Sequence, residues 1–207
     1  EGKIEVAERQ IMSFHATMSC VLITLALQLA RVYAGCAITP VNGHVDIPSS
    51  WTSIGVNAFR ECTSLKTVNI PDSVTSIGDA AFSGCTSLET VSIPNSVTSI
   101  GDNAFSQCTS VATLTLDTPL LGSTKDFVAT YFGDSQTKIT SVTVGDSVTM
   151  IKGKAFYECT SLETVSIPDS VTSIGESAFY RCSSLETMSI PDSVTSIGGA
   201  ALQRCKN

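Results

Sequence analysis

The sequence predicts a β-rich α/β repeat solenoid, with one parallel strand and one short helical turn in each rung. Three observations carry this. First, a motif recurs along most of the chain. The Ile-Gly step at Ile54, Ile77 and Ile100 returns as Ile174 and Ile197, with Ile151 in the same register, and neighbours within each group of three lie 23 residues apart. A fixed period of this size marks stacked units that share one core and cannot fold singly. Second, Glu89-Thr90-Val91-Ser92-Ile93 alternates polar and apolar residues, the period of a strand with one buried face. Third, Ala104, Phe105 and Cys108 recur in every full unit at near-helical spacing, which reads as a compact turn packed under the next strand.

The elements follow in order. The strand centres are Val45, Val68, Val91, Leu114, Val142, Val165 and Met188, giving seven rungs. Pro94 ends its strand, and the Pro-Asx-Ser sequence makes a turn. Ser96 to Ile100 reads as a second extended stretch with Val97 and Ile100 inward. Asp79, Asp102 and Glu176 then sit at the start of the compact turn, where negative charge is favoured. Trp51 stands where later units carry Val74 or Val97, and is expected to act as a lid over the first rung. Between Ile100 and Ile151 the spacing exceeds two periods by five residues. One rung, at residues 117–141, is therefore expected to bulge without breaking the stack, with the insertion looping outward. Phe132 falls near its aromatic position, and Ile139 to Val144 restores the strand.

Residues 1–34 stand outside the repeat. Val21 to Ala30 is apolar but shorter than the roughly 20 residues a bilayer span needs. It suits a secretory signal, with Val32-Tyr33-Ala34 placing the cut before Gly35. Against this, no Lys or Arg lies between Met12 and the apolar run, and Arg31 follows it. An uncleaved anchor or a core helix are the alternatives. Residues 1–11 read as an upstream extension. Ala34-Gly35-Cys36 also suggests a lipoprotein box with Cys36 acylated, although Tyr33 stands where Leu or Val is usual. Residues 35–207 form the solenoid, which fits equally as a fragment of a longer array.

The 207 residues carry a net charge of −7 and a pI near 4.7. That disfavours nucleic acid, which wants a basic face, and adsorption on anionic lipid. No membrane insertion of the mature chain is expected. Nothing catalytic stands out. Of the two histidines only His44 lies in the repeat region, and Ile-Gly-Asp lacks phosphate-loop spacing. The chain reads as no enzyme, with no cofactor and no metal.

Two columns remain open to several readings. Cys62, Cys85, Cys108, Cys159, Cys182 and Cys205 recur once per unit. They read as small buried residues with free thiols, because side chains in a column point in parallel. A Cys36–Cys62 pair closing the first rung is the alternative. Asp72, Asn95, Asp146, Asp169 and Asp192 form an acidic turn column, read as solvated turn formers, with bridging by a divalent ion as the alternative.

The repeated pattern Ile-Gly-x-x-Ala-Phe-x-x-Cys-x-Ser-Leu-x-x-Val-x-Ile-Pro-x-Ser-Val-x-x-Ile resembles the BspA-type leucine-rich repeat over about residues 41–207. The longer rung, with Phe132-Gly133 and Ile139 to Val148, resembles a variant rung of that family. The resemblance implies a right-handed leucine-rich-repeat stack. It also implies surface or secreted proteins of bacteria and protists, some of which adhere to host matrix proteins. It brings no shared catalytic site.

The outward strand positions form a ribbon two residues wide. Its candidate ligand-binding residues are Thr67, Asn69, Thr90, Ser92, Thr113, Thr115, Thr143, Thr164 and Ser166, joined by Phe127 and Tyr131 of the bulged rung. The plain alternative is that Thr and Ser are simply soluble, β-compatible residues. The expected function is a non-catalytic module, secreted or at the cell surface, that recognises an unidentified protein or glycan. A structural or matrix scaffold that self-associates end to end is the alternative, and an intracellular location the alternative placement. A solenoid that binds ice or ions is a more distant reading.

Overall fold

A computed structural model describes residues 36–124 and 126–206. The leader, its cleavage before Gly35 and the apolar run lie outside the described residues. The alternating strands predicted from the sequence form a seven-stranded parallel sheet, ordered β1-β3-β5-β7-β8-β10-β12. These are His44–Asp46, Thr67–Asn69, Thr90–Ile93, Thr113–Leu116, Ser141–Val144, Thr164–Ser166 and Thr187–Met188. The register pairs Val45 with Val68, Val91 with Leu114, Leu114 with Val142, and Val165 with Met188. The seven predicted strand centres therefore stack as one column.

The second extended stretch of each unit forms short strands that make two separate sheets. β2 (Ser53–Ile54), β4 (Ser76–Ile77) and β6 (Ser99–Ile100) form one. β9 (Met150–Ile151), β11 (Ser173–Ile174) and β13 (Ser196–Ile197) form the other. The core lies between these layers and the compact turns. Phe59, Phe82 and Phe105 are fully buried and stack ring on ring, 5.1 Å between centroids and 2° from parallel. Each ring buried contributes about 2–3 kcal/mol from removed apolar surface.

The compact third part differs from a helix in one respect. Its bonds run from i+3 back to i, as in Ala58 N–H to Gly55 O, Arg60 N–H to Asn57 O and Cys62 N–H to Phe59 O. Two positions per rung adopt left-handed backbone, at Asn57 and Glu61 in the first rung and at Asn103 and Gln107 in the third. These reversals turn every second amide toward the next rung. Asn57, Phe59 and Glu61 N–H then donate to the carbonyls of Asp79, Ala81 and Ser83. Propagating a helix would consume those amides, so the rung-to-rung ladder wins.

The insertion is folded into the stack rather than looped out. Leu120–Ser123 forms α1, Phe127–Phe132 forms α2, and Gly133–Lys138 continues as a 3-10 helix. Helix ends leave N–H groups free at the start and carbonyls free at the finish. α2 uses both. Thr130 and Tyr131 carbonyls accept from Asn103 and Phe105 of the preceding rung, and Asp126 and Val128 amides donate to Gly153 and Ala155 of the following one. Phe132 stacks on Phe105 at 4.9 Å, so the expected aromatic position is kept. α1 replaces the missing short strand. Its Leu121 carbonyl accepts from Lys152, but the Gly122 amide is spent within the helix on Pro119. That is why the short-strand ladder splits in two while the seven-stranded sheet runs through.

The step after each short strand needs glycine for close approach. A Cβ at Gly78 would lie 2.6 Å from the Val56 backbone nitrogen, at Gly101 2.4 Å from that of Asp79, and at Gly175 2.3 Å from that of Gly153. Lys152 takes this position only where α1 forms the rung below. Gly55, in the first described rung, would meet nothing within 4 Å. Gly175→Ala is therefore expected to destabilise the fold by about 1–3 kcal/mol. Gly55→Ala should stay within about 0.5 kcal/mol of the parent. Urea unfolding of the two variants checks the contrast.

Candidate functional site

The ribbon is built by strand alternation. Val91 and Ile93 point into the core, so Thr90 and Ser92 face out. Parallel register then places Thr67, Thr90, Thr113, Ser141, Thr164 and Thr187 in one rank. Ser92, Thr115, Thr143 and Ser166 form the second, with Asn69 beside Asp46 at its start. The structure thus brings together the nine ribbon residues expected from the sequence, on one uninterrupted sheet face.

The ribbon is not uniform. At its start, His44 Nδ1 and Thr67 Oγ1 share a 2.7 Å hydrogen bond, and Asn69 donates to Asp46 at 3.0 Å. The Asn69 amide, and then His44, hold the Asp46 carboxyl below its ordinary range. Further along, Thr164 donates to Ser141 at 3.1 Å. Among the described residues, the hydroxyls of Thr90, Ser92, Thr115 and Ser166 make no side-chain hydrogen bond. The middle of the ribbon therefore presents donors and acceptors still open to a ligand, a few ångströms apart and fixed by the sheet.

Phe127 and Tyr131 do not join this face. Phe127 is fully buried and Tyr131 is 6% exposed. They pack edge to face at 5.0 Å because α2 turns its apolar residues inward to fill the core of the longer rung. Their assignment to a ligand surface is corrected accordingly. The sequence carried the signal in the helical spacing of Phe127, Val128, Tyr131 and Phe132.

The cysteine column divides. Cys36 and Cys62 form a disulfide, with Cα atoms 5.1 Å apart. Hence Cys62 is not a free thiol, and the bridged Cys36 is not acylated here. Cys85, Cys108, Cys159, Cys182 and Cys205 are free. Cys85, Cys108 and Cys182 donate from Sγ to the carbonyls of Phe59, Phe82 and Phe156 at 3.0–3.2 Å. Each thiol thus serves as a buried donor to the rung before it. Burial pushes Cys159 up to about 12 and also raises Cys182. Cys108 is raised too, chiefly by the adjacent Cys85 thiol and then by burial.

Trp51 packs partly buried against the first rung's core, with Cys36, Ala37 and Ile38. This is the expected lid position. Beside it, a cleft of about 340 Å³ is lined by Ala37, Trp51, Thr52, Gly55, Val56 and Ala58. Among the described residues, no group of three or more His, Cys, Asp or Glu side chains could hold a metal ion, and no helix is long and apolar enough to cross a membrane.

The thiols give a test with a defined sign. A raised folded pKa stabilises the native state below the unfolded value, and the contribution is lost as pH rises toward the folded value. For Cys159 that window runs from 9.0 to about 12. Urea stability should therefore fall above about pH 9, and Cys159→Ala should make the fall shallower. In alkylation of the native protein near neutral pH followed by peptide mapping, Cys205 should label before Cys85, Cys108, Cys159 and Cys182, because only its thiol is partly exposed.

Comparison with known proteins agrees with this architecture. The model of the BspA type leucine rich repeat region matches residues 31–128 and 127–207 in 6 copies. The chain therefore belongs to the BspA-type leucine-rich repeat family. It is similar to a leucine-rich repeat protein from Eubacterium ventriosum, with 29% identity and a TM-score of 0.62, covering 82% of this chain and 44% of that one. It is similar also to the leucine-rich repeat protein of T. pallidum, with 27% identity and a TM-score of 0.50, covering 76% of this chain and 73% of that one. The chain thus spans less than half the length of the E. ventriosum structure. No curated protein matches the sequence.

Proposed function

We propose that this BspA-type leucine-rich repeat chain is a non-catalytic recognition module, secreted or displayed at a cell surface, that binds an extended protein or glycan along the hydroxyl ribbon. The observation that carries the reading is the pair of in-register Thr/Ser ranks crossing the bulged rung without a break. The insertion splits the short-strand sheet on the other side yet leaves this face continuous. A rigid array of hydroxyls engages a ligand with little ordering cost of its own. The leader-like residues 1–34, and the disulfide near the start of the solenoid, suit an oxidising, extracellular setting.

The test is a triple substitution, Thr90→Lys, Thr113→Lys and Thr164→Lys, on the ribbon's outer rank. Binding to a panel of immobilised matrix proteins and glycans should be abolished, while the circular dichroism spectrum and melting temperature stay close to the parent. Unchanged binding by the folded variant would sink the assignment of this face.

A further inference from the structure

We propose a second binding site, for an anionic polysaccharide, on the compact turns of the last three rungs. Tyr157 and Tyr180 stack there at 5.1 Å and 10°. Lys154 Nζ lies 5.3 Å from the Tyr157 ring centroid. The guanidinium carbons of Arg181 and Arg204 lie 5.5 and 5.7 Å from that of Tyr180. The two aromatic rings and three cations form one ladder along the stacking direction. Neighbouring Lys152 is exposed.

This ladder departs from the repeat that surrounds it. The tyrosine position holds Arg60, Ser83 and Ser106 in the first three rungs, and the position of Arg181 and Arg204 holds Glu61, Gly84 and Gln107. The charged turn residues of those rungs, Arg60, Glu61, Asp79 and Asp102, are mainly acidic. In the last three, Lys152, Lys154, Arg181 and Arg204 outnumber Glu158 and Glu176. A chain with net charge −7 thus concentrates cations on one face of one end. Stacking of guanidinium on a ring contributes about 0.5–1 kcal/mol at an exposed site. It also holds the charge in place, which lowers the cost of ordering it around a ligand. Glu158 accepts from Arg181 at 2.6 Å and fixes that side chain further.

The geometry favours a linear polyanion. Each of the three rungs places one cation on the ladder, Lys154, Arg181 and Arg204, so they meet charges that repeat along a chain. Arg binds sulfate or carboxylate through paired hydrogen bonds. The ring faces are already covered by one another and by the cations, so neutral sugar stacking is not the recognition mode. A flexible acidic peptide matches the charge but must be ordered on binding. The proposal rests on the extracellular reading above but not on the ribbon, and its readout is independent of ribbon capture.

The experiment is retention of the purified chain on immobilised heparin in a salt gradient at neutral pH, with soluble heparin, hyaluronan and polyglutamate as competitors. The variant Lys154→Asn, Arg181→Gln, Arg204→Gln borrows residues that Asn103 and Gln107 already place at equivalent backbone positions, so folding should be kept. Retention of the parent, release by salt and a loss of at least tenfold in affinity for the variant are expected. Competition by hyaluronan would extend the ligand to carboxylated chains. Flow-through of the parent, equal retention of a variant with a native melting curve, or polyglutamate competing as well as heparin per unit charge would overturn the proposal.

Discussion

Every rung must present amides where its neighbour presents carbonyls, at the strand-to-strand distance of about 4.8 Å. That single spacing governs the molecule. It brings Gly78, Gly101 and Gly175 so close to the preceding backbone that no Cβ fits. It sets the ring separation of the phenylalanine stack. It gives the buried thiols of Cys85, Cys108 and Cys182 a carbonyl to donate to. Left-handed residues in the compact turns are tolerated for the same reason. Non-glycine residues there cost roughly 1–2 kcal/mol each, and the inter-rung hydrogen bonds they release offset that cost.

The bulged rung shows how the constraint is met by other means. α2 is short, but its two ends are the part that matters, since carbonyls face one neighbour and amides the other. α1 meets the constraint on only one side, through the Leu121 carbonyl, and the short-strand ladder divides there. The seven-stranded sheet does not, because β7 and β8 pair over four residues. One sheet therefore stays continuous across the seven described strands while the short strands divide into two sheets.

The two faces differ in chemistry as well as shape. Beyond Asn69 the ribbon is neutral and hydroxylic, and its Thr/Ser pattern barely changes from rung to rung. The compact turns vary more. Near the start they are acidic, and in the last three rungs they carry stacked tyrosines and cations. In a repeat protein a constant column reports what the stack requires. A departure from the column, where packing does not demand it, marks where surface chemistry has been added. Tyr157 and Tyr180 stack with their neighbours, but Ser83 and Ser106 show that the backbone is satisfied without a ring.

The sequence by itself determined the solenoid, the number of rungs, the centre of each strand and the inward or outward sense of the ribbon residues. A period of 23 residues leaves little choice once one rung must hydrogen-bond to the next. It also placed Phe132 in the aromatic column. Only the tertiary structure decided that Phe127 and Tyr131 are core residues, since the helical spacing that buries them was embedded in an insertion that also suited an outward loop. Only it showed that Cys36 pairs with Cys62 while the other column thiols stay free. The spacing permitted both outcomes, and the choice depends on where Ala37 docks against Ala58. Only it brought Lys154, Arg181 and Arg204 onto one ladder, because charges on successive rungs, distant along the chain, become neighbours only once the rungs stack.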